Sequence, residues 1–281
     1  RLQRWQPEEG LPKQAIRAFA ADKQGGFWIA TYGEGLYCLK NKRLYQFDAA
    51  DDGLADDEIY ALACDGQGRI WAATDGGISI CSMPALGQKK VQQLQTTDGL
   101  PDEIVTALFA DDAGNIWIGA QEKGLCHYNI QTKRFDFLTK NWAYGMVTSL
   151  ALYEKSEIWV GTQQEGLLRL NLHTGVLAPL PAAHPLRKVK SLALCKDREG
   201  LLWALCGKGK IYSAQARFGL LQTAFGNTQA VLVDRQNRLW AGSAEGLYLQ
   251  KPGSPAAENA GFIKILPQSE NVISLWESPL E

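Results

Sequence analysis

Three histidines, six cysteines and a scatter of carboxylates are the groups through which this chain of 281 residues could do chemistry. His127 falls on a strand-like segment, and His173 and His184 fall in loop-like stretches. Their spacing fits neither a metal-ligand motif nor a nucleophile–base pair. Cys38, Cys64, Cys81, Cys126, Cys195 and Cys206 include no C-x-x-C pair, which argues against a zinc site. A turn around Arg198–Gly200 would set Cys195 level with about Leu202. Cys206 would then lie about four residues, or on the order of 13 Å, further along. That is beyond disulfide reach, and all six cysteines read as small buried hydrophobes. The expectation is no catalytic constellation, no metal and no cofactor.

Bulk composition narrows the class further. With 46% hydrophobic and 21% charged residues, the chain has the make-up of a globular domain. The 29 basic and 30 acidic residues nearly cancel, so no broad basic surface points to nucleic acid. No apolar run reaches the roughly 18 residues of a membrane helix, and no membrane insertion by this segment is expected. The sequence opens at Arg1 without a methionine or a secretory segment and reads as a piece of something longer.

The elements that must position any site are fixed by a repeat. Trp28, Trp71, Trp117, Trp159, Trp203 and Trp240 share one context, an aliphatic or aromatic residue before and small or aliphatic residues after. Their spacings are 43, 46, 42, 44 and 37 residues, each the length of one four-stranded propeller blade. An acidic residue stands about six positions upstream, with a turn residue three later: Asp22/Gly25, Asp65/Gly68, Asp111/Gly114, Asp197/Gly200 and Asp234/Asn237. Aspartate caps its own backbone and Gly or Asn accepts positive φ, so each pair predicts a short hairpin. The fourth copy, Glu154-Lys155-Ser156-Glu157, departs from this pattern.

Apolar runs before each turn (Ile16–Ala21, Ile59–Cys64, Ile104–Ala110, Val147–Leu152, Val189–Cys195 and Ala230–Val233) predict inner strands buried on both faces. A Gly-aliphatic pair and a more amphipathic run complete each unit. The fold class predicted is all-β: one domain over 1–281, a β-propeller of four-stranded antiparallel blades with six complete repeat units. Each tryptophan is a structural anchor filling the wedge between blades. Leu2–Trp5 and Asn271–Trp276 read as stray strands of a further blade, which would make the six units part of a seven-bladed ring.

Propeller geometry also nominates a binding face. The loop leading into each first strand and the loop joining second and third strands project together around the central opening. The first set supplies Asp57, Glu58, Asp102, Glu103, Trp142, Tyr144, Arg187 and Lys188. The second supplies Tyr32, Glu34, Asp75, Glu122, Glu165, Lys208 and Glu245. Carboxylates beside the rings of Trp142 and Tyr144 would suit a sugar. The alternative for each residue is a solvated loop side chain.

The combined pattern also carries a resemblance. Glu9-Gly10-Leu11-Pro12, Asp52-Gly53-Leu54 and Asp98-Gly99-Leu100-Pro101 each lead into an apolar strand, then Gly-x-x-Trp and Gly-Leu or Gly-Ile. This closely resembles the two-component regulator propeller repeat, strongly in units one to three and more weakly in units four to six. The resemblance implies the extracytoplasmic, periplasmic sensor portion of a bacterial receptor such as a hybrid histidine kinase. It implies a seven-bladed propeller, often in tandem, followed by an immunoglobulin-like stalk and a membrane helix. Expected partners are an oligosaccharide or other small ligand, neighbouring domains of the same receptor, and a second copy in a homodimer. A protein-interaction or dimerisation scaffold is the alternative reading, and a propeller lyase or glycosidase a third. A sialidase Asp-box would need Ser/Thr-x-Asp-x-Gly-x-x-Trp, whereas here Asp precedes Gly by three.

Overall fold

Asp22, Asp65, Asp111 and Asp234 each stand six residues ahead of a tryptophan, and that spacing builds the first hairpin of a blade. One oxygen of Asp22 accepts the amides of Gln24 and Gly26 at 2.8 and 2.7 Å. The third turn residue takes the left-handed conformation: Gly25, Gly68 and Gly114 at φ 80° and Asn237 at φ 58°. The second carboxylate oxygen accepts the indole N–H of the tryptophan, at 2.9 Å for Trp28 and Trp71, 3.3 Å for Trp117 and 2.7 Å for Trp240. Turn and core anchor are therefore one hydrogen-bonded unit.

The structure, a computed structural model, describes residues 12–138, 141–153, 156–184, 186–196, 201–207, 210–214, 218–221, 228–234, 236–250, 262–265 and 275. Six four-stranded antiparallel sheets follow in chain order. Blade one is β1 (Ile16–Ala21), β2 (Phe27–Thr31), β3 (Leu36–Lys40) and β4 (Arg43–Phe47). Blade two is β5 (Ile59–Cys64), β6 (Ile70–Thr74), β7 (Gly77–Ser82) and β8 (Lys90–Leu94). Blade three is β9 (Val105–Ala110), β10 (Ile116–Ala120), β11 (Leu125–Asn129) and β12 (Arg134–Phe137). Blade four is β13 (Val147–Tyr153), β14 (Glu157–Thr162), β15 (Leu167–Asn171) and β16 (Leu177–Pro179). Blade five is β17 (Ser191–Lys196), β18 (Leu202–Cys206), β19 (Lys210–Ala214) and β20 (Phe218–Leu221). Blade six is β21 (Thr228–Val233), β22 (Leu239–Ser243), β23 (Gly246–Gln250) and β24 (Phe262–Lys264). First strands pack on first strands, β1 on β5, β5 on β9, β9 on β13, β13 on β17 and β17 on β21. The fold is a β-propeller, with these strands innermost.

The core lies in the seams between blades. Trp28 shares a cluster with Ile59, Ile70 and Cys81 of blade two. The Trp71 ring lies 5.0 Å from that of Tyr128 in blade three. Trp117, Trp159 and Trp203 likewise join the core of the following blade. Each such burial contributes roughly 4–6 kcal/mol of transfer free energy, an upper figure because the unfolded chain already hides some area. Trp240 differs. It is only half-buried, and the Arg238 guanidinium lies over its ring at 5.4 Å.

Two expectations are corrected. The fully buried strands are the second ones, β6, β10 and β18 throughout their length, whereas β1 and β5 are mostly half-buried. The second strand is paired on both edges and covered on both faces; the first has a free edge at the axis. Cys195 lies opposite Trp203, one residue from the predicted register, and Cys206 opposite Ser191. None of the six cysteines is in a disulfide, four being buried and two half-buried. Among the described residues no helix is long and apolar enough to cross a membrane. The predicted strand at Leu2–Trp5, most of that at Asn271–Trp276, and Glu154, Lys155, Asp197, Gly200 and Lys208 lie outside the described residues.

Candidate ligand-binding mouth

Both nominated sets of loops come together at one end of the first strands. Within a blade, the second-to-third-strand loop bonds back to the loop leading in. The amides of Tyr32, Gln121, Gln163 and Gly207 donate to the carbonyls of Ala15, Ile104, Met146 and Lys190. Between blades, Gly33 and Gly35 donate to the Asp57 carbonyl, and Tyr32 bridges Glu58.

Several nominated side chains are occupied in holding these loops. Glu34 accepts the Lys13 amide at 2.8 Å, Asp57 accepts Ala49 at 2.8 Å, and Asp102 accepts Glu122 at 2.8 Å. Arg187 is ion-paired with Glu165 at 2.9 Å and donates to the Leu180 carbonyl at 2.7 Å. Glu103, Glu122, Lys188 and Glu245 are exposed.

Trp142 and Tyr144 do not form an open platform. Their rings meet edge-on at 5.2 Å and pack against the seam between blades three and four. The Trp142 indole donates to the Gly145 carbonyl at 2.6 Å. Any Cβ on Gly124 would collide with the Trp142 ring. The physical reason is a vacancy in the repeat. In the loops leading into blades two, three and five, Leu54, Leu100 and Leu186 are buried in the corresponding seams. The loop into blade four carries the two aromatics instead.

The mouth is lined by residues that the apolar runs concealed. Every first strand slips register by one residue near its start, between Ile16 and Ala18, Ile59 and Ala61, Val105 and Ala107, Val147 and Ser149, Ser191 and Ala193, and Thr228 and Ala230. Such a bulge breaks the alternation of side chains and re-aims one of them. Ile59 joins the core shared with blade one, while Ala61, two residues on, packs against the core shared with blade three. Val105 and Ala107 divide between flanking seams in the same way. The residue between lies at the bulge, on the strand with the free inner edge. Arg17, Tyr60, Thr106, Thr148 and Gln229 occupy this position, with Arg17 and Gln229 exposed. A polar residue at the same point of five of the six units, with Leu192 in the fifth, was the available signal.

Where blades one and two meet, this collar joins the nominated face. The Glu58 carboxylate raises the pKa of the Tyr32 phenol. Burial, then the Asp75 carboxylate, pushes the pKa of the Tyr60 phenol up further. The two rings meet edge-on at 6.2 Å, and the Arg17 guanidinium lies 4.8 Å over the Tyr32 ring. Five side chains from two blades thus present two phenol–carboxylate pairs and a cation. Each carboxylate keeps lone pairs free for further donors.

The histidines build no comparable group. His127 lies beside Asp111 and Asp136 at 3.6 and 3.8 Å and against the Trp117 ring at 4.5 Å. Burial lowers the pKa of His184. Among the described residues no group of three or more His, Cys, Asp or Glu is placed to hold a metal ion.

Comparison with known proteins identifies the repeat. Residues 10–33, 53–76 and 99–122 match the two component regulator propeller family. One match falls in each of the first three units. Each matched segment runs from the Gly-Leu element through the first hairpin to the mouth loop. Among solved structures, the chain is similar to the extracellular domain of a protein assigned as hybrid two component system BT3049 from B. thetaiotaomicron, with 21% identity and TM-score 0.76. It covers 97% of this chain and 37% of that one. The extracellular domain of BT4673 from the same organism gives 23% identity and TM-score 0.61, over 92% and 36% of the two chains. Virginiamycin B lyase from Staphylococcus aureus gives 13% identity and TM-score 0.68, over 89% and 83%. The chain therefore spans little more than a third of the two receptor domains, and at these identities the likeness is one of fold. No curated protein matches the sequence.

Proposed function

We propose that the chain is the ligand-sensing propeller of an extracytoplasmic bacterial receptor, that its ligand is a saccharide, and that it binds without turnover. The observation that carries this reading is the paired Tyr32–Glu58 and Tyr60–Asp75 at the mouth between blades one and two. The two carboxylates can accept from sugar hydroxyls, and the exposed Tyr32 ring offers apolar surface to a pyranose. The repeat match and the fold shared with receptor extracellular domains support a sensor on the periplasmic side, within a longer receptor. Signalling then requires that the ligand bind one arrangement of propeller and neighbouring domains more tightly than another.

The test is a thermal-shift screen of the chain against neutral, amine-bearing and acidic oligosaccharides. A ligand at 100-fold its Kd adds about 2.7 kcal/mol of stability. Tyr60→Phe and Asp75→Asn weaken that shift without lowering the unliganded melting temperature by more than a few degrees. No shift with any saccharide, together with self-association or capture of a partner domain, would replace this reading by an assembly scaffold. Release of a cleaved product would make the chain a lyase or glycosidase.

A further inference from the structure

In two seams the next-to-last residue of a second strand is a glycine that faces first-strand residues of its own blade and the next. In the seam between blades three and four this residue is Gly119, and a Cβ there would run into Val147 and Ala107. Both neighbours are apolar and deeply buried. In the seam between blades four and five it is Gly161, opposite Ser149. Here a Cβ would meet Ser149 Oγ, Ser191 Oγ at 2.7 Å and Thr148 Oγ1 at 3.0 Å. Ser149 stands where Ala18, Ala61 and Ala107 stand in the first three blades, and Ser191 where Ile59, Val105 and Val147 stand. One seam has exchanged an apolar pair for two hydroxyls and gained a third from the collar residue Thr148.

These hydroxyls are not serving the fold. Thr148 Oγ1, Ser149 Oγ and Ser191 Oγ are all buried and lack a hydrogen-bond partner, and Ser191 is 0% exposed. Thr106, the collar residue of blade three, donates instead to the Val147 carbonyl at 2.6 Å. A buried hydroxyl without a partner carries the desolvation penalty of a polar group with nothing to offset it. Three of them converging on one glycine have the polar lining that an internal oxygen needs, two to four partners at hydrogen-bond distance. Thr148 sits at the bulge of β13, the strand with a free edge at the axis, so the group lies within one strand of the central opening.

We propose that Thr148, Ser149 and Ser191 form a site for one oxygen that both donates and accepts hydrogen bonds. The oxygen is that of a water molecule, or a hydroxyl of a ligand entering along the axis. The second source rests on the saccharide reading; the first does not. High-resolution crystal structures of the protein, free and soaked with D-glucose, separate them. Ordered density within hydrogen-bond distance of the three hydroxyls in the free protein identifies water, and density appearing only with glucose identifies a ligand hydroxyl. A protein that binds no saccharide yet shows the oxygen would overturn the saccharide reading alone. Absence of density in both crystals overturns the site. Ser149→Ala with Ser191→Val reproduces the apolar pair of the preceding seam and abolishes the density; Thr148→Val provides the same test should the double variant not fold. Density unchanged in either variant shows that these hydroxyls do not hold it.

Discussion

The indole N–H of Trp71 donates to the carboxylate of Asp65 at 2.9 Å, and Asp65 is itself only 1% exposed. The same carboxylate accepts the amides of Gln67 and Arg69 and pairs with the Arg69 guanidinium at 2.7 Å. Asp65→Ala therefore strips partners from a turn, an indole and a cation together. A loss of about 2–4 kcal/mol follows if one or two buried donors stay unsatisfied. Urea unfolding monitored by tryptophan fluorescence measures it, and a loss below about 0.5 kcal/mol would show that the turn holds without its cap.

Asp234 makes the corresponding unit in blade six a pH-sensitive one. Burial works to raise its pKa, but the hydrogen bonds from Trp240 and Arg238 and the Arg238 charge outweigh it and hold the carboxyl below 3.8. A carboxylate depressed in the folded state contributes stability that is present above its unfolded pKa and lost as pH falls through the folded value. The melting temperature of Asp234→Asn should accordingly lie below that of the parent at neutral pH, and the two should converge below pH 3.8. A difference that stays constant into acid would contradict the coupling.

Tyr60 should keep its phenolic proton well into the alkaline range, because burial and Asp75 both oppose ionisation. Ultraviolet difference titration of the folded protein should show several tyrosines ionising late, with Tyr60 the last of them. Asp75→Asn should bring that step toward the ordinary value, leaving only the part that burial supplies. An unchanged titration would mean that Asp75 does not face the phenol.

Thiol chemistry gives a fourth readout. Burial pushes Cys38, Cys126 and Cys206 up to about 12 and Cys81 beyond, so little thiolate is present at neutral pH. A disulfide reagent should label the half-buried Cys64 and Cys195 first in the folded protein, and all six thiols after unfolding. Rapid labelling of four or more in the native state would contradict the packing of the seams.

Trp142→Ala separates packing from recognition. The side chain lies over Gly124 and against the seam core, so its loss should destabilise the chain by about 2–3 kcal/mol. Saccharide affinity should change less than about threefold, whereas Tyr60→Phe should do the reverse. Equal effects of the two on affinity would place the ligand at the wrong seam.

The blades were legible in the sequence because each is written locally. Asp, a left-handed Gly or Asn three residues on, and Trp three residues after that fall within a single hairpin, and short-range geometry specifies it. Register within that hairpin was legible to about one residue, as Cys195 shows. The nomination of Tyr32, Glu58 and Asp75 followed from the same loop logic. What the tertiary structure decided lay between blades. Whether Trp142 was a platform or a plug depended on the glycine it meets eighteen positions upstream, Gly124. Arg17 and Tyr60 sat inside runs that looked like uninterrupted core, and only the bulge sets them apart from it. A bulge is a mismatch between two strands, and the partner of Arg17 and Tyr60 across the seam is another blade. Neither can be seen from one segment's pattern, because the free energy that fixes it belongs to packing between units some forty residues apart.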